Sequence, residues 1–430
     1  MKTTTTIIFL ALLSFTLYGK QDEINVLKAE QYFKEAKTLC DQDAGKTWGI
    51  NLYGPILFVD AKTRKVISNV QDAMGELKKE GNVFVGMYPK SRPIANTALE
   101  WNGTKWTMVI WQALSSDKNT RNHLIMHELW HRIQDDIGFR SQPSKNTHLN
   151  QLDGRFLLKM EWSALGKAVE TNGKKRAKHL ENALLFREYR RNMYSGSAEK
   201  EALFEMHEGL ADHTGLKLSG ASENEIREIL SHKVKTSLKR HTLLMSFAYT
   251  SGPLYGYLLD ASGINWYQNL KQTDDLGELI KKAYGINPNP TNTIDHLYAE
   301  YNGEELIQKE KNYEEEMQAF LKSCRDRFLS NPKLIIPMSM CRISFNPHTV
   351  VPFEDHGTIY KTFNAFGKWG KLKTDKGALV TPNWSKVIAD APDKDFKSDN
   401  WELILNEGWK IEKKEDGNYY VVMNKTEKTK

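Results

Sequence analysis

The stretch HLIMHELWHRIQ, residues 123–134, combines the apolar spacing of a helix with two histidines placed four residues apart, His127 and His131. Glu128 follows the first histidine directly. In an α-helix, positions i and i+4 lie on the same face, about 5–6 Å apart, so the two imidazoles can converge on one ion. The apolar neighbours predict a helix that packs on a core, where these polar side chains need a partner.

The sequence on the amino-terminal side of this helix predicts a small, mostly antiparallel sheet over residues 46–114. β-rich runs such as GINLYGPILFVD and NVFVGMY are separated by polar turns. The clearest hairpin joins NTALEW to KWTMVIWQAL through Asn102-Gly103, a pair that favours turns with positive φ. Ser115 or Ser116 can cap the helix that follows.

The remaining sequence divides into a helical part and a β-rich part. Apolar residues recur at helical spacing from residue 115 to about residue 330, and short β-like runs between turn residues follow. The predicted fold class is therefore α+β. We expect an N-terminal α/β lobe over residues 21–138, a helical lobe over 139–330 and a small C-terminal β-rich module over 331–430.

Residues 1–20 predict a secretory signal peptide. Met1-Lys2 is followed by an apolar stretch from Ile7 to Tyr18 and by the small residue Gly19. We therefore expect an exported protein, periplasmic or secreted, after removal of the signal peptide. No cysteine follows the apolar stretch, so no lipid anchor of the bacterial lipoprotein kind is expected, and no later segment is apolar over a length that spans a bilayer.

Composition limits the other classes of partner. Of the 430 residues, 40% are hydrophobic and 27% are charged, which is typical of a folded rather than a disordered protein. The net charge of +6 is spread along the chain, so we expect no nucleic-acid partner. Three cysteines, of which Cys324 and Cys341 lie nearest in sequence, predict either one bridge between these two or buried thiols.

The pattern His127-Glu128-x-x-His131 is typical of a zinc site that activates water. Zinc binds imidazole nitrogen at about 2.0–2.1 Å, and a catalytic site adds a third protein ligand and an open position. Glu128, at the edge of the same helix face, can take the proton of the bound water as a general base. His123 lies one turn earlier and too far along the axis to share an ion with His131, so we expect it to support the site rather than to bind the metal.

The third ligand is expected in MHEGLADHTG, residues 206–215. A metzincin would continue with Gly at position 134 and His at position 137, where this chain has Gln134 and Ile137. Instead, Glu208 and Asp212 form E-x-x-x-D on one helix face, so that Glu208 can bind zinc and Asp212 can accept a hydrogen bond from a ligating histidine. The alternatives on the same helix are Glu201 and Glu205.

H-E-x-x-H followed by E-x-x-x-D on a later helix resembles the gluzincin metallopeptidases, the group that includes thermolysin and the zinc aminopeptidases. The resemblance covers about residues 100–260. It implies a zincin-type catalytic unit, in which a sheet packs over the motif helix, a helical lobe supplies the third ligand, and a peptide or protein substrate lies between them. One catalytic Zn²⁺ is implied, with His127, His131 and Glu208 as ligands. Residues 105–112, KWTMVIWQ, would then pair with the substrate backbone.

The segment YTSGPLYGYLLD, residues 249–260, resembles the Tyr-x-x-Gly element of the gluzincin aminopeptidases. In those enzymes the tyrosine stabilises the oxyanion of the tetrahedral intermediate, which implies this role for Tyr249. The residues that compete for the role are Tyr255, Tyr257, His232 and His241. No Gly-x-Met-x-Asn segment precedes the motif helix, so aminopeptidase specificity is not indicated.

A secreted binding protein on the same scaffold is the alternative hypothesis. Residues 331–430 are rich in Trp, Tyr and Phe and could dock a glycan, a cell wall or a partner protein, with the zinc site structural or vestigial. The intact Glu128 argues against this alternative, because a structural zinc site has no use for a base. A helical secreted protein with a fortuitous motif is a third possibility, and metal content separates it from the other two.

Overall fold

The computed structural model describes residues 23–142, 144–289, 293–330, 332–346 and 349–424. The structure is mixed α and β, which confirms the predicted fold class at that level. The predicted signal peptide, residues 1–20, lies outside the described residues, among which no helix has the length and apolarity needed to cross a membrane. The chain divides into two units, residues 1–310 and 311–430.

The first unit begins with one helix and a six-stranded sheet. The helix α1 covers Val26–Asp43, and the strands are β1 Ile56–Val59, β2 Lys65–Ser68, β3 Lys78–Glu80, β4 Val83–Met87, β5 Thr97–Trp101 and β6 Thr104–Ile110. The strand order is β3-β4-β2-β1-β6-β5, and neighbouring strands are antiparallel except for β1 and β6. The turn between β5 and β6 has positive φ at both Asn102 and Gly103, which confirms the predicted hairpin.

The position of β6 inside the sheet contradicts one expectation. Residues 105–112 cannot pair with a substrate backbone, because β6 is already hydrogen-bonded to β1 on one side and to β5 on the other. The sheet ends at β5, whose second edge has no strand neighbour in this sheet. A peptide that extended the sheet at this end would therefore add to β5.

The rest of the first unit is helical. The helices are α2 Lys118–Ile133, α3 Leu152–Glu170, α4 Gly173–Met193, α5 Ser197–Phe204, α6 Leu210–Lys217, α7 Glu223–Ser237, α8 Ala248–Asp260 and α9 Leu276–Tyr284. A π-helical turn, Glu205–Gly209, joins α5 to α6, so residues 197–217 form one continuous helical segment. The N-cap of α2 is Asp117, whose side chain accepts a hydrogen bond from Thr120 N at 2.8 Å. The prediction that Ser115 or Ser116 caps this helix is therefore wrong.

The core of the first unit surrounds α2. Ile125, Leu129 and Trp130 on this helix are fully buried, and they belong to one apolar cluster with Phe58 of β1 and Phe186 of α4. Burial of each such side chain contributes about 1.5–3 kcal/mol. The apolar residues of the opening stretch therefore hold α2 inside the unit, and its histidines and glutamate are buried with it.

The second unit begins in the middle of a long helix, α10, which covers Gly303–Arg325 and continues into a π-helical turn, Asp326–Ser330. Eleven strands follow in the described residues: β7 Lys333–Pro337, β8 Arg342–Phe345, β9 Val350–Phe353, β10 Gly357–Tyr360, β11 Phe363–Gly367, β12 Gly370–Thr374, β13 Ala378–Val380, β14 Lys386–Asp390, β15 Glu402–Leu405, β16 Trp409–Lys413 and β17 Tyr419–Met423. They form a sheet of order β16-β17-β7-β14-β13-β10-β9 and a sheet of order β15-β12-β11-β8.

The division of the chain at Glu310 lies earlier than the predicted start of the C-terminal module at residue 331. The second half of α10 packs on the strands, where Phe320 and Leu321 contact a buried cluster that includes Cys324 and Phe353. The helix end therefore belongs to the core of the module, which the polar sequence of α10 does not reveal.

All three cysteines are free thiols. The predicted bridge between Cys324 and Cys341 is wrong, because Cys324 lies in the cluster under α10 whereas Cys341 packs against the core between the two sheets, 3.8 Å from the carbonyl of Pro337. Burial raises the pKa of Cys40 to about 12 and that of Cys324 to about 11, so both remain protonated and unreactive.

Candidate metal centre

The helix α2 carries three of the predicted site residues into the interior. His127 and Glu128 are each 2% exposed, and the side chain of His131 is 12% exposed. The two imidazoles face each other, with His127 Nε2 at 3.1 Å from His131 Nε2. Two ring nitrogens at this distance need a proton or a cation between them, because two facing lone pairs repel each other.

The carboxylate of Glu208 joins the two imidazoles to form a triangle. Its Oε2 lies 3.7 Å from His127 Nε2 and 3.4 Å from His131 Nε2. A tetrahedral ion with ligands at about 2.0–2.1 Å separates its ligand atoms by about 3.3 Å, close to all three observed distances. These three residues, brought together from two helical segments, could hold a metal ion.

The two alternative acids on the same helical segment are engaged elsewhere. Glu205 binds Arg187 through both oxygens, at 3.0 and 2.5 Å. Glu201 binds Arg190 at 2.8 and 2.9 Å and also contacts His148 at 2.7 Å. Neither acid is therefore a ligand of the histidine pair, and Glu208 is the acid that faces it.

Glu128 is buried beside this triangle without a full set of partners. Its Oε2 has no hydrogen-bond partner among the described residues. Burial raises the pKa of Glu128 to about 8. A buried carboxylate that is not neutralised by an arginine or a lysine is costly to keep, and such groups are concentrated at sites that exchange protons.

The pKa values of the three residues of the triangle are shifted in different directions. Burial and the neighbouring His131 lower the pKa of His127 to about 3. Burial alone would lower the pKa of His131, but the carboxylate of Glu208 raises it to about 9. Burial would raise the pKa of Glu208, and His131 reverses this shift and lowers it. The triangle therefore stabilises a positive charge at its centre, which suits a metal cation.

Asp212 lies next to the site, but its contacts differ from the prediction. Its Oδ1 is 3.8 Å from His127 Nδ1, which is too long for the predicted hydrogen bond to a ligating histidine. Asp212 instead accepts from His123 Nε2 at 2.8 Å and forms a short contact with Lys233 of α7. His123 therefore contacts Asp212 and is not part of the triangle.

Tyr249 of α8 reaches the same site from a third helix. Its hydroxyl donates to Glu208 Oε2 at 2.6 Å, and its ring stacks on His127 with centroids 5.8 Å apart and planes 10° apart. Tyr249 is 9% exposed. The phenol therefore touches the carboxylate oxygen that lies nearest the histidine pair.

The residues that competed with Tyr249 have other partners. Tyr255 donates to Glu161 at 2.7 Å, Tyr257 contacts Glu223 at 3.4 Å, and His241 lies 3.3 Å from Glu310. His232 is an exposed residue of α7. Tyr249 is therefore the tyrosine that the fold brings to Glu208.

Glycines allow the helices that carry the site to approach closely. A Cβ atom on Gly252 of α8 would lie 2.2 Å from the Cα of Gly209 in the π-helical turn. A Cβ on Gly215 of α6 would lie 2.5 Å from the ring of His123. Only a hydrogen fits at both positions, so the small residues set the distances between Tyr249, Glu208 and α2.

Three residues that sequence reasoning did not assign to the site also contact it. Gln134 Oε1 accepts from His131 Nδ1 at 2.7 Å, His207 lies 3.0 Å from Glu208, and Lys233 binds Asp212. Of these three residues, His207 could have been suspected from the sequence, because it directly precedes the proposed ligand Glu208. Lys233 lies on α7 and carries no pattern that links it to Asp212.

Comparisons with protein-family models, with curated proteins and with solved structures return no match to this chain. The geometry and the electrostatics of the site are therefore the basis on which its chemistry is inferred.

Proposed function

We propose that this chain is an exported, zinc-dependent metallopeptidase of the gluzincin type, with His127, His131 and Glu208 as ligands. The observation that carries the proposal is the triangle of ligand atoms at 3.1, 3.4 and 3.7 Å with the unpaired carboxylate of Glu128 beside it. A structural site would need the triangle alone. Among the described residues no arginine or lysine pairs with Glu128, and a buried acid with an oxygen that has no hydrogen-bond partner has a use in proton transfer.

Zinc, when bound, would polarise the scissile carbonyl and lower the pKa of water to about 7. The residues of the chain supply the proton chemistry and the orientation. Glu128 accepts the proton of the attacking water at its free oxygen and then donates it to the leaving amine. Burial raises the pKa of Glu128 in the metal-free site, and the charge of a bound zinc ion would lower it again, so that the carboxylate form can accept the proton.

Tyr249 would stabilise the charge that develops on the carbonyl oxygen. Its hydroxyl now donates to Glu208 Oε2 at 2.6 Å, so it is already directed at the ligand triangle. Donors of this kind contribute about 2.7–4 kcal/mol to the transition state when they act in a buried site. Burial, followed by the charge of Glu208, raises the pKa of Tyr249, so the hydroxyl keeps its proton and remains a donor.

The zincin-type architecture is part of the same proposal. The motif helix α2 lies between a mostly antiparallel sheet and the helices that carry Glu208 and Tyr249. We propose that a peptide substrate enters between these two parts, and that export follows from the predicted signal peptide.

A binding protein with a vestigial metal site remains the second candidate. The second unit exposes several large apolar side chains, among them Phe366, Trp384 and Phe396, each about half exposed. Exposed aromatic residues are common in surfaces that dock a ligand. A binding function does not explain why Glu128 is buried with an oxygen that has no hydrogen-bond partner among the described residues.

The test compares the natural protein with Glu128→Gln, His131→Ala and Glu208→Ala, using metal analysis and cleavage of a peptide library. We expect about one zinc per chain in the natural protein and in Glu128→Gln, and weaker binding in the two ligand variants. Glu128→Gln should lose at least about 10²-fold in turnover, because the isosteric amide cannot accept a proton. Glu199→Gln, on the exposed side of α5, is the matched control. Zinc binding with unchanged cleavage by Glu128→Gln would refute the mechanism, and zinc binding without any cleavage would favour the binding protein.

A further inference from the structure

Two side chains bridge His131 and Glu208 on the side away from the ligand triangle. Gln134 Oε1 lies 2.7 Å from His131 Nδ1, and Gln134 Nε2 lies 2.9 Å from His207 Nε2. His207 Nδ1 lies 3.0 Å from Glu208 Oε1. A hydrogen-bonded bridge of two side chains, which we call the Gln134–His207 bridge, therefore runs from one proposed ligand to the other.

The chemistry of the groups fixes the direction of every hydrogen bond in the bridge. The carbonyl oxygen of Gln134 can only accept, so His131 carries a proton on Nδ1. The amide nitrogen of Gln134 can only donate, so His207 Nε2 accepts and His207 carries its proton on Nδ1. That proton is donated to Glu208 Oε1, because a carboxylate accepts.

This direction leaves free the two atoms that face the metal triangle. When a metal ion replaces the proton between the two imidazoles, His131, with its other proton held on Nδ1, offers the lone pair of Nε2, which lies 3.1 Å from His127 Nε2. With Oε1 bonded to His207, Glu208 presents Oε2, which lies 3.4 Å from His131 Nε2. The bridge thus binds the outer atom of each ligand and leaves the inner atom available.

The opposite orientation of the Gln134 amide would undo both effects. An NH₂ group facing His131 Nδ1 would favour the tautomer with its proton on Nε2, where the lone pair is needed. A carbonyl facing His207 Nε2 would require a proton there, and in neutral His207 the Nδ1 lone pair would then face the carboxylate of Glu208. The orientation of the Gln134 amide therefore determines both whether His131 Nε2 can bind a metal ion and whether His207 donates to Glu208 Oε1.

We propose that Gln134 and His207 are positioning residues that set the tautomer of His131 and the free oxygen of Glu208 as one coupled unit. The inference rests on the proposed role of these two residues as metal ligands. Gln134 is 6% exposed, and it directly follows the last residue of α2, so its side chain has little freedom. Coupling means that the loss of either bridge residue affects both ligands.

The experiment measures zinc affinity, by competition with a chelator of known affinity, in Gln134→Leu, His207→Leu and the double variant. Each single variant should bind zinc about 10–100-fold more weakly, the usual effect of removing a group that orients a ligand. The zinc affinity of the double variant should be close to that of the single variant that binds zinc more weakly, because one break already disconnects the bridge. His232→Leu, which alters an exposed histidine of α7, should keep the natural affinity.

A second measurement uses the zinc-free protein and judges the bridge on its own. The imidazole Nδ1–H of His131 should be visible by ¹⁵N–¹H correlation and should exchange slowly with water. Its exchange should become faster in both single variants. If the natural protein bound no zinc, the proposed function would fail, and this signal would still decide whether the bridge exists.

Two results would overturn the inference while leaving the proposed function in place. One is natural zinc affinity in both single variants together with an unchanged Nδ1–H signal. The other is a double variant whose loss equals the sum of the two single losses, since independent effects add. Should Gln134→Leu not fold, Gln134→Met, which has an unbranched side chain of similar length and no amide, tests the same link. Adding His207→Leu to it should cost no further affinity.

Discussion

The contact between Gly252 of α8 and Gly209 of the π-helical turn gives the sharpest structural prediction. In Gly252→Ala the new methyl group would lie 2.2 Å from the Cα, 2.4 Å from the oxygen and 2.5 Å from the carbonyl carbon of Gly209. Non-bonded carbon atoms approach to about 3.5 Å, so the two helical segments must separate by about 1 Å. All three atoms belong to the backbone, so no side chain can move aside to relieve the contact.

This separation should reach the candidate metal site. Tyr249 lies one turn before Gly252, and its hydroxyl donates to Glu208 Oε2 at 2.6 Å. A shift of about 1 Å would lengthen this bond beyond the range of a hydrogen bond. Overpacking costs about 1–3 kcal/mol, and the loss of a bond to a charged acceptor adds about 1.5–3 kcal/mol. We expect Gly252→Ala to lower the free energy of unfolding by about 2–5 kcal/mol and to weaken zinc binding.

Gly166→Ala is the matched control for this substitution. Gly166 lies within α3, and the three atoms nearest to its new methyl group would all belong to the side chain of Val234, at 3.4 Å or more, which is an ordinary contact distance. Alanine is the better helix former by about 1 kcal/mol, so this variant should be as stable as the natural protein or slightly more stable. Urea unfolding of both variants, followed by circular dichroism, measures the difference. Equal stability of the two variants would refute the argument that the glycine contact sets the distance between the helices.

Three further predictions concern metal removal, acid and thiol reactivity. Removal of zinc by a chelator should lower the unfolding temperature, and added zinc should restore it. An ion held by α2 and the π-helical turn would stabilise the folded state by about 2.7 kcal/mol when the free zinc concentration is a hundred times the dissociation constant. An equal response of the His131→Ala variant would contradict this prediction. In acid, the buried Glu310 should lose a stabilising charge. Burial alone would raise the pKa of Glu310, but His241, Lys159 and Arg155 lower it to about 2. Because this folded pKa lies below the unfolded one, the contribution, at most about 3 kcal/mol, is complete above about pH 5 and is lost as the pH falls towards 2. Unfolding measured from pH 6 to pH 2 should therefore depend less on pH in Glu310→Gln, and an unchanged slope would count against the ion pairs. With a thiol reagent, Cys341 should react first and the two buried cysteines only after unfolding; immediate reaction of all three would show that the cores are open.

Local signals predicted the parts of the fold that depend on neighbours in sequence. Asn102-Gly103 turns the hairpin because both residues adopt positive φ, and the apolar spacing of residues 123–134 produces the buried helix. The place of β6 between β1 and β5 could not be predicted, because strand order depends on pairing between distant segments. The same holds for Asp212, whose partner Lys233 lies on another helix.

The candidate site followed a similar rule. His127 and His131 could be predicted to face one another because four residues make about one helical turn. Gln134 could not be predicted as a partner of His207, since the two meet only after α2 packs against the segment of residues 197–217. Sequence reasoning used Gln134 only to exclude the metzincin pattern, although its amide contacts a proposed ligand.

The π-helical turn explains why the acids of one helical segment serve two different partners. In a straight α-helix, at about 100° per residue, Glu201, Glu205, Glu208 and Asp212 would all lie within about 60° of one another on a single face. In this chain the first two bind the arginines of α4, whereas the last two face the histidines of α2. The wider turn at Glu205–Gly209 rotates the second pair away from the first.

The winding of this turn, rather than the spacing of the four acids in the sequence, is therefore what separates the ion-pair network from the candidate metal site. If residues 205–209 wound as a regular α-helix, all four carboxylates would point to the same side, where the arginines of α4 and an ion at the candidate site would compete for them. A substitution that straightened the turn would therefore alter both clusters without changing any of the four acids.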